Sequence, residues 1–106
     1  MLFTITGKHV DITEAVKRYA EKKVSNLPKY YNSINQVEVV IDAGRGGNVS
    51  VEIIARGEHG KIFVVNETDK EVYRCIDTAA HKLEGQIRKK KAKERDNKRA
   101  GGAKSV

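Results

Sequence analysis

Two segments between Ile34 and Arg56 alternate apolar and polar residues, and a glycine cluster closes each of them. Val37, Val39 and Ile41 alternate with Glu38, Val40 and Asp42. Val49, Val51, Ile53 and Ala55 alternate with Ser50, Glu52, Ile54 and Arg56. A period of two puts each set on one face of a pleated strand. Gly44-Arg45-Gly46-Gly47 and Gly57-Glu58-His59-Gly60 supply turns, and Ile62–Val65 reads as a short buried strand. Three strands joined by short turns predict an antiparallel meander. Its second face, carrying Glu38, Asp42 and Glu52, is expected to be polar and mildly acidic.

The apolar face of such a sheet must be covered, and the flanking segments supply two amphipathic helices. Leu2–Thr6 reads as a first strand, with Phe3 and Ile5 on one side. Thr13 then caps a helix whose first turn holds Glu14. That helix is expected to run to about Asn26, before Pro28. Val16, Tyr19, Ala20, Val24 and Leu27 form its apolar stripe. After the meander, Thr68-Asp69-Lys70-Glu71 reads as a capping box. The helix it opens has Val72, Ile76, Ala79, Ala80, Leu83 and Ile87 as its stripe. Lys90 falls where the stripe would continue, so the helix is expected to run into solvent and end near Arg95. Gly101-Gly102 predict a basic, disordered tail over 98–106, which leaves 1–97 as the domain. The order β-α-β-β-β-α predicts an α+β fold. It has a four-stranded sheet, a parallel first pair of strands, and both helices on one face.

Charge is sorted along the chain. Met1–His81 holds 11 basic and 11 acidic residues, whereas Lys82–Val106 holds 10 basic and 3 acidic. Glu14–Lys29 is net positive and Tyr30–His81 net negative. Sorting of this kind suggests a polyanion that meets particular elements; the alternative is a solubilising tail on a neutral domain. The single cysteine, Cys75, excludes an intrachain disulfide and fits a reducing compartment. No apolar run suits a signal peptide or a membrane span. The expectation is a soluble, cytoplasmic protein with no cofactor.

Catalytic patterns are missing. His9, His59 and His81 fall in three elements with no carboxylate or thiol at a useful spacing, and no phosphate-binding or nucleophile-elbow motif occurs. Cys75 borders an apolar stripe and reads as a small core residue. Each G-x-x-G joins two strands, so both read as hairpin turns rather than the helix-joining backbone clamp of KH domains. The chain is therefore not expected to be an enzyme.

The basic helices carry the stronger signal. Lys82, Gln86, Lys89 and Lys93 follow a 4-3-4 spacing on one flank of the second helix, with Asp77 and Glu84 on the opposite flank. A helix with cations on one side can track phosphates. Gly85, on the outward arc, is either drift at an exposed site or room for a close backbone approach. Lys23 lies inside the apolar stripe of the first helix, so its stem must run along the core edge to a solvated head. Side-by-side helices would bring that head to their seam.

These residues resemble a known family. Ile5-Thr6-Gly7, Val10-Asp11-Ile12-Thr13-Glu14-Ala15, Lys23, Leu27, Tyr30 and Ile34-Asn35-Gln36-Val37 make up the first matching segment. Tyr73, Ile76-Asp77, Lys82-Leu83, Gln86, Lys89 and Lys91 make up the second. Together they are similar to the ribosome hibernation-promoting factors, a family that includes the ribosome-associated inhibitor, protein Y. The resemblance covers about Met1–Lys93. It implies a fold similar to a double-stranded-RNA-binding domain. It also implies a bacterial protein that binds small-subunit ribosomal RNA in the decoding channel and blocks the messenger and transfer RNA sites in stress or stationary phase. The implied RNA contacts are Lys23, Lys82, Gln86, Lys89 and Lys91, with Lys29. Asn26 and Gly85 stand where relatives often carry basic residues, and Lys22, Arg88 and Lys90 can compensate, joined by Lys93 from the helix spacing. The expected form is the short one, a monomer when free, with a separate ribosome-dimerising factor as a possible partner. Two other readings stay open: a protein-interaction module that modulates a sigma factor, and a generic double-stranded-RNA binder.

Overall fold

The protein is described from a computed structural model. It covers residues 1–27, 31 and 33–104, with side chains at those positions except 45 and 95–104. Lys29, one of the expected RNA contacts, lies outside the described residues. The elements are β1 (Leu2–Lys8), α1 (Glu14–Val24), β2 (Ile34–Ala43), β3 (Val49–Gly57), β4 (Ile62–Asp69) and α2 (Val72–Lys104). The strands lie in the order β1-β2-β3-β4. β1 is parallel to β2, and the other pairs are antiparallel. This is the α+β arrangement and element order that the alternation and the stripes predict.

Both helices cover one face. Ala20, Val24 and Leu27 of the first helical segment meet Val37, Val39 and Ile41 of β2, Val51, Ile53 and Ala55 of β3, and the α2 stripe in one buried cluster. Cys75 joins that cluster with no exposed surface, and its thiol donates to the Glu67 carbonyl at 3.2 Å. Burial holds the thiol above its ordinary pKa. The cysteine is a core residue, as its position beside the stripe implies.

Local chemistry accounts for the helix starts. Thr13 Oγ1 accepts from Val16 N at 3.1 Å and caps α1. The bend that brings β1 to this cap lies at His9–Val10 and folds back over Gly7 of β1, where an added Cβ would lie 2.3 Å from the Val10 carbonyl oxygen. Only glycine fits that approach.

Three details differ from the sequence reading. First, β4 continues to Asp69, with Thr68 paired to Ser50. Thr68 is thus extended in the sheet and cannot cap α2. Glu71 caps instead: its carboxylate accepts from Tyr73 N and Arg74 N, at 3.1 and 2.7 Å. Asp69 holds the preceding turn through Lys70 N, Glu71 N and the Arg74 guanidinium. Second, β4 is not buried throughout. Phe63 and Val65 point inward, while Ile62 and Val64 stay 56% and 44% exposed on the outer face. That face is consequently less acidic and more apolar than expected. Arg56 Nη1 also donates to Glu38 Oε1 at 3.2 Å and offsets one of its carboxylates. Third, α2 continues to Lys104, past Arg95 and through most of the segment expected to be a tail. No proline interrupts it, and Lys, Arg, Ala and Glu all favour helix.

Candidate nucleic-acid interface

The buried stripe of α2 fixes which side chains face outward. With Ile76, Leu83 and Ile87 locked against the sheet, the flank bearing Lys82, Gln86, Lys89 and Lys93 turns toward β4. Phe63, Gln86, Lys89, Lys90, Ala92 and Lys93 line one open cleft of about 690 Å³ there. Lys82, Gly85, Gln86 and Lys89 line a second of about 380 Å³ beside it. The structure thus brings five of the expected RNA contacts, Lys82, Gln86, Lys89, Lys90 and Lys93, along one side of one helix. All five are solvent-exposed.

Two members of the line also have partners inside the protein. Lys82 Nζ lies 2.6 Å from Glu67 Oε2 on β4. Gln86 Nε2 donates to the Val64 carbonyl at 3.2 Å. That bond satisfies an acceptor on an edge strand, which would otherwise offer itself to another chain. Neither partner is visible in the helix spacing, because both depend on how α2 lies across β4. The net positive field is therefore strongest beyond Gln86, where Arg88, Lys89, Lys90, Lys91 and Lys93 follow within two turns.

Lys23 stands apart. It emerges at the seam between α1 and α2, as the stripe geometry requires. Its ammonium lies 3.2 Å from Asp77 Oδ1 and 5.3 Å from the centre of the Tyr19 ring. The Tyr19 hydroxyl donates to the same carboxylate oxygen at 2.5 Å, and the Tyr73 ring packs edge-on against Tyr19 at 4.9 Å. Tyr19's bond to Asp77, with Lys23 behind it, holds that carboxyl below its ordinary pKa. Asp77 in turn raises the Lys23 ammonium and the Tyr19 phenol. At 100° per residue, Asp77 sits about 150° around α2 from the Lys82–Lys93 line. Lys23 therefore ties the two helices together on the far flank from the two clefts. Lys22 is exposed on the outer side of α1, Arg88 is exposed on the outward arc of α2, and Lys91 is exposed on the side of α2 opposite the Lys82–Lys93 line.

The sequence reading did not include Phe63 and Ala92 in this surface, or Glu67 and Asp77 as counter-charges to its lysines. Among the described residues no group of His, Cys, Asp and Glu is placed to hold a metal ion. No described helix is long and apolar enough to cross a membrane.

Known proteins share this sequence pattern and fold. The profile of the family described as sigma 54 modulation protein / S30EA ribosomal protein matches residues 3–95. The ribosome hibernation promoting factor of Escherichia coli K12 is 33% identical over 93 residues, covering 88% of this chain and 96% of that protein. The ribosome hibernation promotion factor of Lactococcus lactis subsp. cremoris is 30% identical over 95 residues, covering 86% of this chain. The match takes in only 50% of that relative, so the chain spans about half its length. Among solved structures, the N-terminal domain of Thermus thermophilus Protein Y superposes with a TM-score of 0.75 at 30% identity. It covers 84% of this chain and 98% of its own. From the profile match across the sheet and the packed part of α2, together with these relatives, the chain belongs to the sigma 54 modulation protein / S30EA ribosomal protein family.

Proposed function

We infer that this protein is a bacterial ribosome hibernation factor. In this reading, residues 1–97 seat α2 against ribosomal RNA of the small subunit in the decoding channel, where they exclude messenger and transfer RNA. The observation that carries the reading is the cationic line on α2. A rigid helix holding Lys82, Lys89, Lys90 and Lys93 on one side presents charges at helical spacing to a phosphate backbone. Such contacts release counterions and gain strength from them. The names of the relatives support the ribosomal partner, and the field of the chain supports RNA as the surface met. Lys22 and Arg88 widen the contact toward the outer faces of the two helices, Lys23 at their seam, and Lys91 on the side of α2 opposite the cationic line. The protein acts as a plug: it needs no cofactor and no chemical step, works as a monomer in the cytoplasm, and suits stress or stationary phase. A separate dimerising factor can act on the ribosomes so blocked.

The family's description as sigma 54 modulation protein keeps one other reading in view, a basic helix that grips an acidic protein surface to modulate a sigma factor. One experiment separates the two. Small-subunit binding is measured for wild type, for Lys82→Glu with Lys89→Glu, and for Glu38→Lys with Glu52→Lys, across a range of salt. The helix pair is expected to abolish binding and the sheet pair to leave it nearly intact. The log–log salt slope should fall by about one for each lysine lost. Greater damage from the sheet pair would reverse the orientation. A flat salt response would move the reading to a protein partner. Equal competition by unrelated duplex RNA would reduce it to generic duplex binding.

A further inference from the structure

Beyond Ile87, α2 fully buries no side chain among the described residues, yet one acidic residue in that stretch is held by two partners. Five cations, Arg88 to Lys91 and Lys93, precede Glu94. Both Glu94 carboxylate oxygens accept from the Tyr31 hydroxyl, at 3.2 and 3.1 Å, and Glu94 is ion-paired with Lys61. The Lys61 ammonium lies 5.2 Å from the centre of the Tyr31 ring, and that ring packs edge-on against Phe63 at 5.8 Å. Tyr31 belongs to the connection before β2, and Lys61 to the turn before β4. Both are part of the sheet's own framework. Lys61 draws the Glu94 carboxyl below its ordinary pKa, with the Tyr31 hydroxyl helping, and Glu94 raises the Lys61 ammonium.

We propose that Tyr31, Lys61 and Glu94 form a clamp that aims the projecting, basic part of α2, making Glu94 a positioning residue for RNA binding. The proposal rests on the reading above that α2 meets ribosomal RNA. A carboxylate in a cationic arm opposes any polyanion by simple charge. Here it attaches the arm to the sheet side. The clamp fixes the direction of Lys89, Lys90 and Lys93, so a target of defined shape is met without ordering the arm at the moment of binding. A polyanion without defined shape gains nothing from that direction and feels only the added negative charge.

These two effects have opposite signs, which makes the proposal testable on the full chain. Glu94→Gln removes the charge and weakens the clamp. Tyr31→Phe removes only the hydroxyl, leaves the net charge unchanged and keeps the ring on Phe63. Affinity is measured for small ribosomal subunits and for unrelated duplex RNA, and amide hydrogen exchange is followed over residues 88–94. Glu94→Gln is expected to bind small subunits about fivefold more weakly and duplex RNA more tightly. Tyr31→Phe is expected to lose about threefold on small subunits with duplex RNA unchanged. Both variants should exchange faster over 88–94. Small-subunit affinity equal to or above wild type in both variants would overturn the clamp, as would unchanged exchange. Equal weakening toward both RNAs with a large loss of melting temperature would also overturn it, in favour of a purely structural role. Failure of wild type to bind small subunits at all would instead defeat the functional reading. The exchange data alone would then decide whether the clamp holds the arm.

Discussion

From Val72 to Ile87, α2 buries Cys75, Ile76, Ala79, Ala80, Leu83 and Ile87 against the sheet; from Arg88 to Glu94 no side chain is fully buried. The first half is held by packing and spends its outward face on few charges. The second is almost all charge, and the polar contacts of Glu94 hold it to the sheet side. One continuous helix thus joins a scaffold to an arm. The scaffold half derives its position from apolar area that cannot rearrange without opening the core. The arm derives its direction from the helix that continues into it and from Glu94. Changes to the buried side chains of the first half should therefore read out as stability, and changes to the exposed charges, most of them in the second, as affinity.

The largest expected effect tests the packed half. Leu83 is fully buried, and Leu83→Ala should cost about 2–5 kcal/mol, because the transfer term and the residual cavity add. That is a large fraction of the stability of a domain this size. Lys93→Ala should stay within about 0.5 kcal/mol of wild type. Denaturant titrations of the two variants, set beside their small-subunit affinities, check the division. A Lys93 variant that lost stability like Leu83→Ala, or a Leu83 variant that kept it, would break the comparison.

A smaller effect sits where the packed half begins. The Arg74 guanidinium, with the Glu71 and Lys70 amides, lowers the Asp69 carboxyl from 3.8 to about 2. A depressed carboxyl contributes stability that is present above pH 4 and is lost as pH falls through about 2. Asp69→Asn should therefore be less stable than wild type near neutrality, and the gap should close between pH 4 and pH 2. Parallel melting curves across that window measure it. A gap that persisted unchanged at pH 2 would show that Asp69 acts through its turn geometry rather than its charge.

These features were unequally legible in the sequence. The faces of β2 and β3 and the stripe of α2 follow from periods of two and 3.6, which are properties of neighbouring residues. The cationic line from Lys82 to Lys93 was legible for the same reason. Of the capping box that opens α2, Glu71 does cap and Thr68 does not, because Thr68-x-x-Glu71 satisfies a local pattern while the pairing of Thr68 with Ser50 is a tertiary fact. The counter-charges were out of reach in the same way. Glu67 meets Lys82 across the sheet edge, Asp77 meets Lys23 across the helix seam, and Glu94 meets a tyrosine 63 residues earlier in the chain. The lone carboxylate after a run of lysines was the one local hint of that last contact.

The smallest effect lies near the boundary between the two halves, at Gly85. Glycine costs about 1 kcal/mol against alanine inside a helix. Nothing in the fold requires it here: a Cβ at Gly85 would meet no atom within 4 Å. Gly85→Ala should therefore gain about 1 kcal/mol, read as a melting temperature higher by roughly 4–8 °C. The same glycine lines the cleft it shares with Lys82, Gln86 and Lys89, where a bare backbone lets a phosphate or ribose approach more closely than a methyl would. The variant should accordingly bind small subunits a few-fold more weakly while melting later. Stability and affinity would then move in opposite directions at one residue, which no general loosening of the helix produces. A Gly85→Ala protein that melts later and binds as wild type would show that this stretch of α2 is exposed scaffold. The RNA surface would then begin farther along the helix, at Lys89.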